Sequence, residues 1–385
     1  MFLNERSRCA ANVDREKTKA KRRKLAIRLT GWLMATGFLC AGTTSMAQLF
    51  GSSPQVTEYA LPNLAAGPCE LKFDSRGILW IEDILGNAIS RFDPGSGGFS
   101  TFPLSQPVSV PGGMEIGPDG ALWFPQVATN VITRLDTTDG SMQNYPIPVG
   151  QVLKTPISVG TALASAIATG KDGAMWFSLS GVNAVGRIDV STKNIEIIPL
   201  PTPLSTASVL TQIIQPGPGN TMVISLAAAN KIATIDVFTR QINQYDVPTP
   251  AALPQGVTTD HNGIIWFTET AAQKFGRLDV NTGNIIEYDM LSLQGLTKNL
   301  LTSLGMPLPF PGPIREGSDG NIYIAEGGFQ GGNKIAQFNP ATNTLKEFAV
   351  PTPLAGICDL NSTRAGQIWF GEVTGNKIGK LMFGS

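Results

Sequence analysis

Four carboxylic acids recur at one spacing in this sequence, each three residues after an aromatic residue in an apolar run. They are Asp83, Glu269, Glu326 and Glu372, which follow Trp80, Trp266, Tyr323 and Trp369. Carboxylates gathered at one place repel each other unless a cation or a basic group joins them. A hard divalent ion, magnesium or calcium, takes oxygen ligands and is the cofactor such a set would hold. Arg315 and Lys72 are the candidate counter-charges if no metal binds. A third reading makes the four acids acceptors for nearby loop amides. Histidine is the usual general base near neutral pH, and the chain has only His261, in a tight turn open to solvent.

These acids belong to a repeat, and the repeat tells what must position them. One phrase recurs, a glycine turn, an apolar-aromatic strand, a short loop, an Asn-Lys-Ile-Gly-Arg-like strand and then Asp. Good copies are PDGALWFPQVATNVITRLD (118–136), HNGIIWFTETAAQKFGRLD (261–279) and RAGQIWFGEVTGNKIGKLM (364–382). Its anchors are Trp80, Trp123, Trp176, Val223, Trp266, Tyr323 and Trp369, spaced 43 to 57 residues apart. That period, with four short strands per unit, predicts an all-β, seven-bladed β-propeller. The outer strands end in Tyr or Phe and proline, and the last unit lacks one. VTEYALP (56–62) supplies it from the front of the chain, so strand 56–62 pairs with the last blade and closes the ring. The anchors read as packing between blades, and Asn87, Asn130, Asn183, Asn230, Asn333 and Asn376 read as turn chemistry. In this frame the acids fall on consecutive blades five, six, seven and one, at the end of the disc that carries the connections between blades.

Composition and charge narrow the function. Only 15% of residues are charged, which excludes disorder and a coiled coil. Residues 1–47 carry ten Lys/Arg against three Asp/Glu, leaving 19 against 26 for residues 48–385. An acidic body does not suit nucleic acid. The basic start, the apolar stretch LTGWLMATGFLCAG (29–42) and Ser45-Met46-Ala47 read as a signal peptide. The apolar stretch is shorter than the roughly 20 residues a bilayer span needs, although an uncleaved anchor is the alternative. The expectation is a secreted or periplasmic monomer, free of the membrane after signal removal, that meets a small molecule or an extracellular partner. Cys69 and Cys358 then remain on the inner strands of blades one and seven. An exported chain with two cysteines suggests a disulfide. Aligning GPCEL with LAGIC by apolar residues sets the two about 10 Å apart along the strand and facing opposite ways, which favours two separate thiols. An ungapped count back from Trp369 instead leaves them level.

The phrases GPDGALWF (117–124), IWFGEVTGNKIGKL (368–381) and VPTP (247–250, 350–353) give the chain a further feature. With the blade number and phasing, they resemble the virginiamycin B lyase (streptogramin B lyase) family across residues 55–383. The resemblance implies a seven-bladed propeller and a magnesium-dependent lyase that opens a cyclic depsipeptide at its ester by elimination. It implies a site with a tyrosine heading the first inner strand and histidines in a Pro-His-x-Ile context heading the last two. Glutamates would stand beside the last histidine and in the last blade. In this sequence Cys69 replaces the tyrosine and Gly312 the first histidine. Matching PLAGICD puts Ala355 at the second histidine and Pro353 at its neighbouring glutamate. Only Glu372 keeps its counterpart, so no catalytic set is complete. A ligand-binding or scaffold propeller without lyase chemistry is the favoured reading. The alternative is a metal-dependent lyase or hydrolase that opens a cyclic ester or lactone at the channel mouth. Insertions at 290–313, a candidate lid, and 146–163 stand over the same face.

Overall fold

The computed structural model describes residues 55–150, 162–201, 213–293, 303, 310–327 and 332–383. The segment read as a signal peptide and most of both insertions lie outside the described residues. Seven four-stranded antiparallel sheets follow one another, and in six of them the strands run in simple sequence order. In blade one these strands are Pro68–Phe73, Leu79–Asp83, Ala88–Asp93 and Gly98–Pro103. The seventh sheet combines Ile357–Asn361, Gln367–Glu372 and Lys377–Met382 with Gln55–Ala60 from the front of the chain. Val56 pairs with Leu381 and Tyr59 with Ile378, which is the ring closure expected from the sequence.

Burial follows from that stacking. Second strands such as Leu79–Asp83 and Ile322–Glu326 are buried at every residue, because both faces lie against neighbouring blades. Outer strands such as Gly98–Pro103 are mostly exposed. The core is therefore seven apolar clusters, one between each pair of adjacent blades. The anchors fill them, with Trp80, Trp123, Trp176, Trp266, Trp369 and Tyr323 at most 2% exposed. Each polar edge is satisfied, as buried aromatics require. Trp80, Trp123, Trp176 and Trp266 donate from Nε1 to the turn residues Asp74, Asp119, Asp172 and Asp260 at 2.8–3.1 Å.

The asparagines do more than turn the chain. Asn87, Asn130, Asn230 and Asn376 sit in the left-handed region, and their side-chain oxygens reach the loop that leads into the next blade. Asn376 accepts from the amides of Ala66 and Gly67 at 2.9 and 3.2 Å, and Asn130 and Asn230 do the same for Ala162 and Ala252. Each clips one blade to the next at the face where the connections run.

Candidate functional site

The inner strands of blades one, five, six and seven each contain a β-bulge. In blade one Pro68 pairs with Asp83 but Leu71 with Ile81, so one extra residue stands on the inner strand. The same shift occurs between Pro254 and Val257, Pro311 and Ile314, and Ile357 and Leu360. A bulge re-aims side chains. Here it turns Cys69-Glu70, Gln255-Gly256, Gly312-Pro313 and Cys358-Asp359 toward the channel.

The register corrects two expectations. Cys69 and Cys358 occupy the same position of neighbouring bulges, and they form a disulfide with Cα atoms 4.9 Å apart. Matching apolar residues had offset them because it ignored the bulge; the ungapped count from Trp369 holds. Ile357 pairs with Glu372 and Leu360 with Phe370, as Pro311 pairs with Glu326 and Ile314 with Ile324. Cys358, not Ala355, is therefore level with Gly312, and Pro353 lies outside the strand.

The four acids do not converge. Asp83, Glu269, Glu326 and Glu372 are at most 5% exposed, and each is engaged inside its own blade. Ser90 Oγ donates to Asp83 at 2.6 Å and lies 2.8 Å from Thr101 Oγ1, a network that leaves burial to push Asp83 up to about 6. Glu269 lies against Glu287 of the outer strand and receives no hydrogen bond among the described residues. Burial first, and then the Glu287 charge, raise its pKa to about 8, so at neutral pH it holds a proton beside its ionised neighbour. Glu326 beside Glu347 is raised to about 8, and Glu372 beside Glu58 to about 7, in both cases chiefly by burial. A lysine completes each set, Lys274 with Glu287, Lys334 with Glu347 and Lys377 with Glu58. The loop amides go to the outer-strand acids, since Thr249 N and Thr352 N donate at 2.8 Å to Glu287 and Glu58. Among the described residues no three His, Cys, Asp or Glu side chains gather as a metal-binding group. These four do not fit a shared magnesium or calcium ion.

Arg315 faces the channel and Lys72 lies buried beside Glu70, but they answer other acids. Arg315 donates to Asp359 at 2.8 Å, and Lys72 lies 3.0 Å from Glu70 and 3.3 Å from Glu115. Burial works against the Lys72 ammonium, yet Glu115 and Glu70 overcome it and hold its pKa above the ordinary value. Glu82 accepts from the Glu70 amide at 3.2 Å. Its burial, reinforced by the Glu70 charge, pushes its carboxyl well above the usual range. Glu70, Glu82, Asp359 and Arg315 line a central cavity of about 430 Å³ together with the disulfide. Sequence reasoning missed Glu70, Glu82 and Asp359. Positions ten and eight residues before each anchor would have found Glu70 and Asp359, together with Glu115, Lys72 and Arg315. His261 is at the other end of the disc, exposed and bonded through its ring to Glu316, which raises its pKa.

Seven sheets closed into a ring around a central cavity define a β-propeller. The chain belongs to the Virginiamycin B lyase family, whose profile matches residues 42–212 and 166–302. Virginiamycin B lyase from Staphylococcus aureus superposes with a TM-score of 0.72 at 25% identity, covering 86% of this chain and 100% of that one. A catalytically inactive histidine-to-alanine variant of that enzyme with quinupristin gives the same TM-score at 26% identity, with the same coverage of both chains. A streptogramin B lyase structure gives a TM-score of 0.72 at 25% identity, covering 86% of this chain and 98% of that one. No curated protein sequence matches this one. Among the described residues, no helix is long and apolar enough to cross a membrane.

Proposed function

We propose that this protein is an exported, monomeric ligand-binding propeller that has given up the lyase chemistry of its family. The observation that carries the reading is the Cys69–Cys358 disulfide. It occupies the position where the resemblance calls for a tyrosine and the last-blade position where it calls for a histidine, while Gly312 stands at the other histidine. A disulfide offers neither a base nor an acid for elimination. The only histidine, His261, is at the far end of the disc. A disulfide also suits an oxidising compartment, in keeping with a secreted or periplasmic location. A metal-dependent lactone opening finds no gathered carboxylate set among the described residues.

The test is incubation with quinupristin and magnesium, followed by chromatography and mass spectrometry. An unchanged macrocycle supports the binding reading. A ring-opened product of unchanged mass, the mark of elimination, overturns it, as does a product heavier by one water, the mark of hydrolysis.

A further inference from the structure

The carboxyls at and beside the cavity outnumber the cations. Glu70 and Glu115 share Lys72, Asp359 pairs with Arg315, and Glu82 accepts the Glu70 amide. Asp359 shows the shortfall most directly. It lines the cavity, is 7% exposed, and gives one oxygen to Arg315, while its other oxygen has no hydrogen-bond donor among the described residues. A buried carboxylate oxygen without a donor is costly and stays in a fold only when something meets it. Asp359 is pushed up chiefly by its burial, although Arg315 and Lys72 work against that rise while Glu70 adds to it.

The upper wall has a different character. Ile84, Val110, Pro111, Val127 and Phe310 line the cavity. Leu64, Leu85, Val108 and Leu354 are 91%, 67%, 74% and 69% exposed in loops at the same face, on blades seven, one and two. Val108 and Val110 hold φ of 58° and 52°, a conformation that β-branched residues avoid. Asn87 fixes that loop by accepting from the amides of Ser109 and Val110 at 2.7 and 3.1 Å. Strain of this kind persists where the surroundings impose it, and it clusters at ligand sites.

We propose that the cavity binds a small organic ammonium, with its protonated amine against Asp359 and Glu70 and its apolar body against the rim of blades one and two. The inference rests on the binding reading and names its ligand class. A volume of about 430 Å³ suits a molecule of this kind. A bare divalent ion suits it less, because Lys72 and Arg315 already answer Glu70 and Asp359, and among the described residues no three His, Cys, Asp or Glu gather for a metal.

Calorimetric titration of the oxidised protein at neutral pH tests this with tryptamine, tryptophol and indole-3-propionate. These share one apolar body and carry an ammonium, a hydroxyl and a carboxylate. Tryptamine is expected to bind at least tenfold more tightly than the other two. Asp359→Asn and Glu70→Gln should each weaken it at least tenfold, and Glu269→Gln, inside blade five, should leave it unchanged. Glu70→Gln keeps the Arg315–Asp359 pair, so it reports on the site even where Asp359→Asn does not fold. Equal binding of tryptophol, no tryptamine binding at millimolar concentration, or full binding by a folded Glu70→Gln variant overturns the proposal. So does binding of magnesium or calcium alone without tryptamine. Absence of binding leaves the quinupristin result standing, so the two readings fail separately.

Discussion

Cys69 and Cys358 are 289 residues apart in the chain, yet they stand level on adjacent bulged strands with Cα atoms 4.9 Å apart. Their bond crosses the seam where blade one meets blade seven. Elsewhere that seam is held by packing, by the Asn376 clip and by the Asn361 amide donating to Leu71 O at 2.9 Å. A crosslink over so long a loop opposes any opening of the ring at this seam.

Replacing both cysteines by serine is therefore expected to cost about 2–4 kcal/mol. Denaturant unfolding of the oxidised protein and the double variant checks the size of the loss. Alkylation in denaturant without reductant, read by mass, should add no groups to Cys69 and Cys358. Two added groups would exclude the bridge.

The same seam contains an unusually close approach. A Cβ placed on Gly371 would lie 2.3 Å from Cys69 O and 2.6 Å from Pro68 O, both backbone atoms that cannot swing aside. Gly371→Ala should destabilise by about 1–3 kcal/mol through overpacking. Gly120→Ala is the control, since its turn has φ of +75° but open space around it. A melting temperature for Gly371→Ala no lower than that of the control would refute the close contact.

Much of this architecture was legible in the sequence because a repeat is seen seven times. Trp80 or Trp266 alone could be any buried aromatic, but their phased recurrence with VTEYALP at the front specifies blade number and closure. The site was less legible for a physical reason. Strand alternation assigns facing only while the register is regular, and the bulges at Cys69-Glu70 and Cys358-Asp359 break it. Counting from the anchors picked out Asp83 and Glu372, which point into their own blades. Glu70, Arg315 and Asp359, which line the cavity, come from inner strands with no shared phrase. Two of the ion pairs there, Arg315 with Asp359 and Lys72 with Glu115, exist only across blades.

Asn376 tests whether the blade clips carry energy. Its oxygen serves the Ala66 and Gly67 amides, and its side-chain amide donates to Asn63 O at 2.8 Å. Asn376→Ala leaves those groups unpaired and vacates a left-handed position that asparagine tolerates better than alanine. A loss of about 2 kcal/mol is expected in denaturant unfolding. Asn376→Gly should be milder than Asn376→Ala, because glycine accepts the backbone conformation.

The carboxyl pairs predict a stability that declines on the alkaline side of its optimum. Glu269 and Glu326 have folded pKa values of about 8 and Glu372 of about 7, against an ordinary 4.5, with burial the main cause in each. Between those limits the folded state holds protons that the unfolded chain has released. Stability then falls as pH rises through that window, and the loss is complete above about pH 8. The partners Glu287 and Glu58 are held below their ordinary value, against the pull of burial, by bonds from Thr249 and Thr352 and from Lys274 and Lys377. Their contribution is present above pH 4.5 and is lost only in acid, so it does not mask the alkaline decline. Allowing for screening, each pair should account for about 1 kcal/mol between pH 5 and 8. Glu269→Gln keeps a donor for Glu287 but cannot ionise, so its stability should fall less steeply over that range than wild type. Denaturant unfolding at pH 5, 6.5 and 8 decides it, and parallel profiles for the two proteins would show that Glu269 does not hold a proton in the folded state.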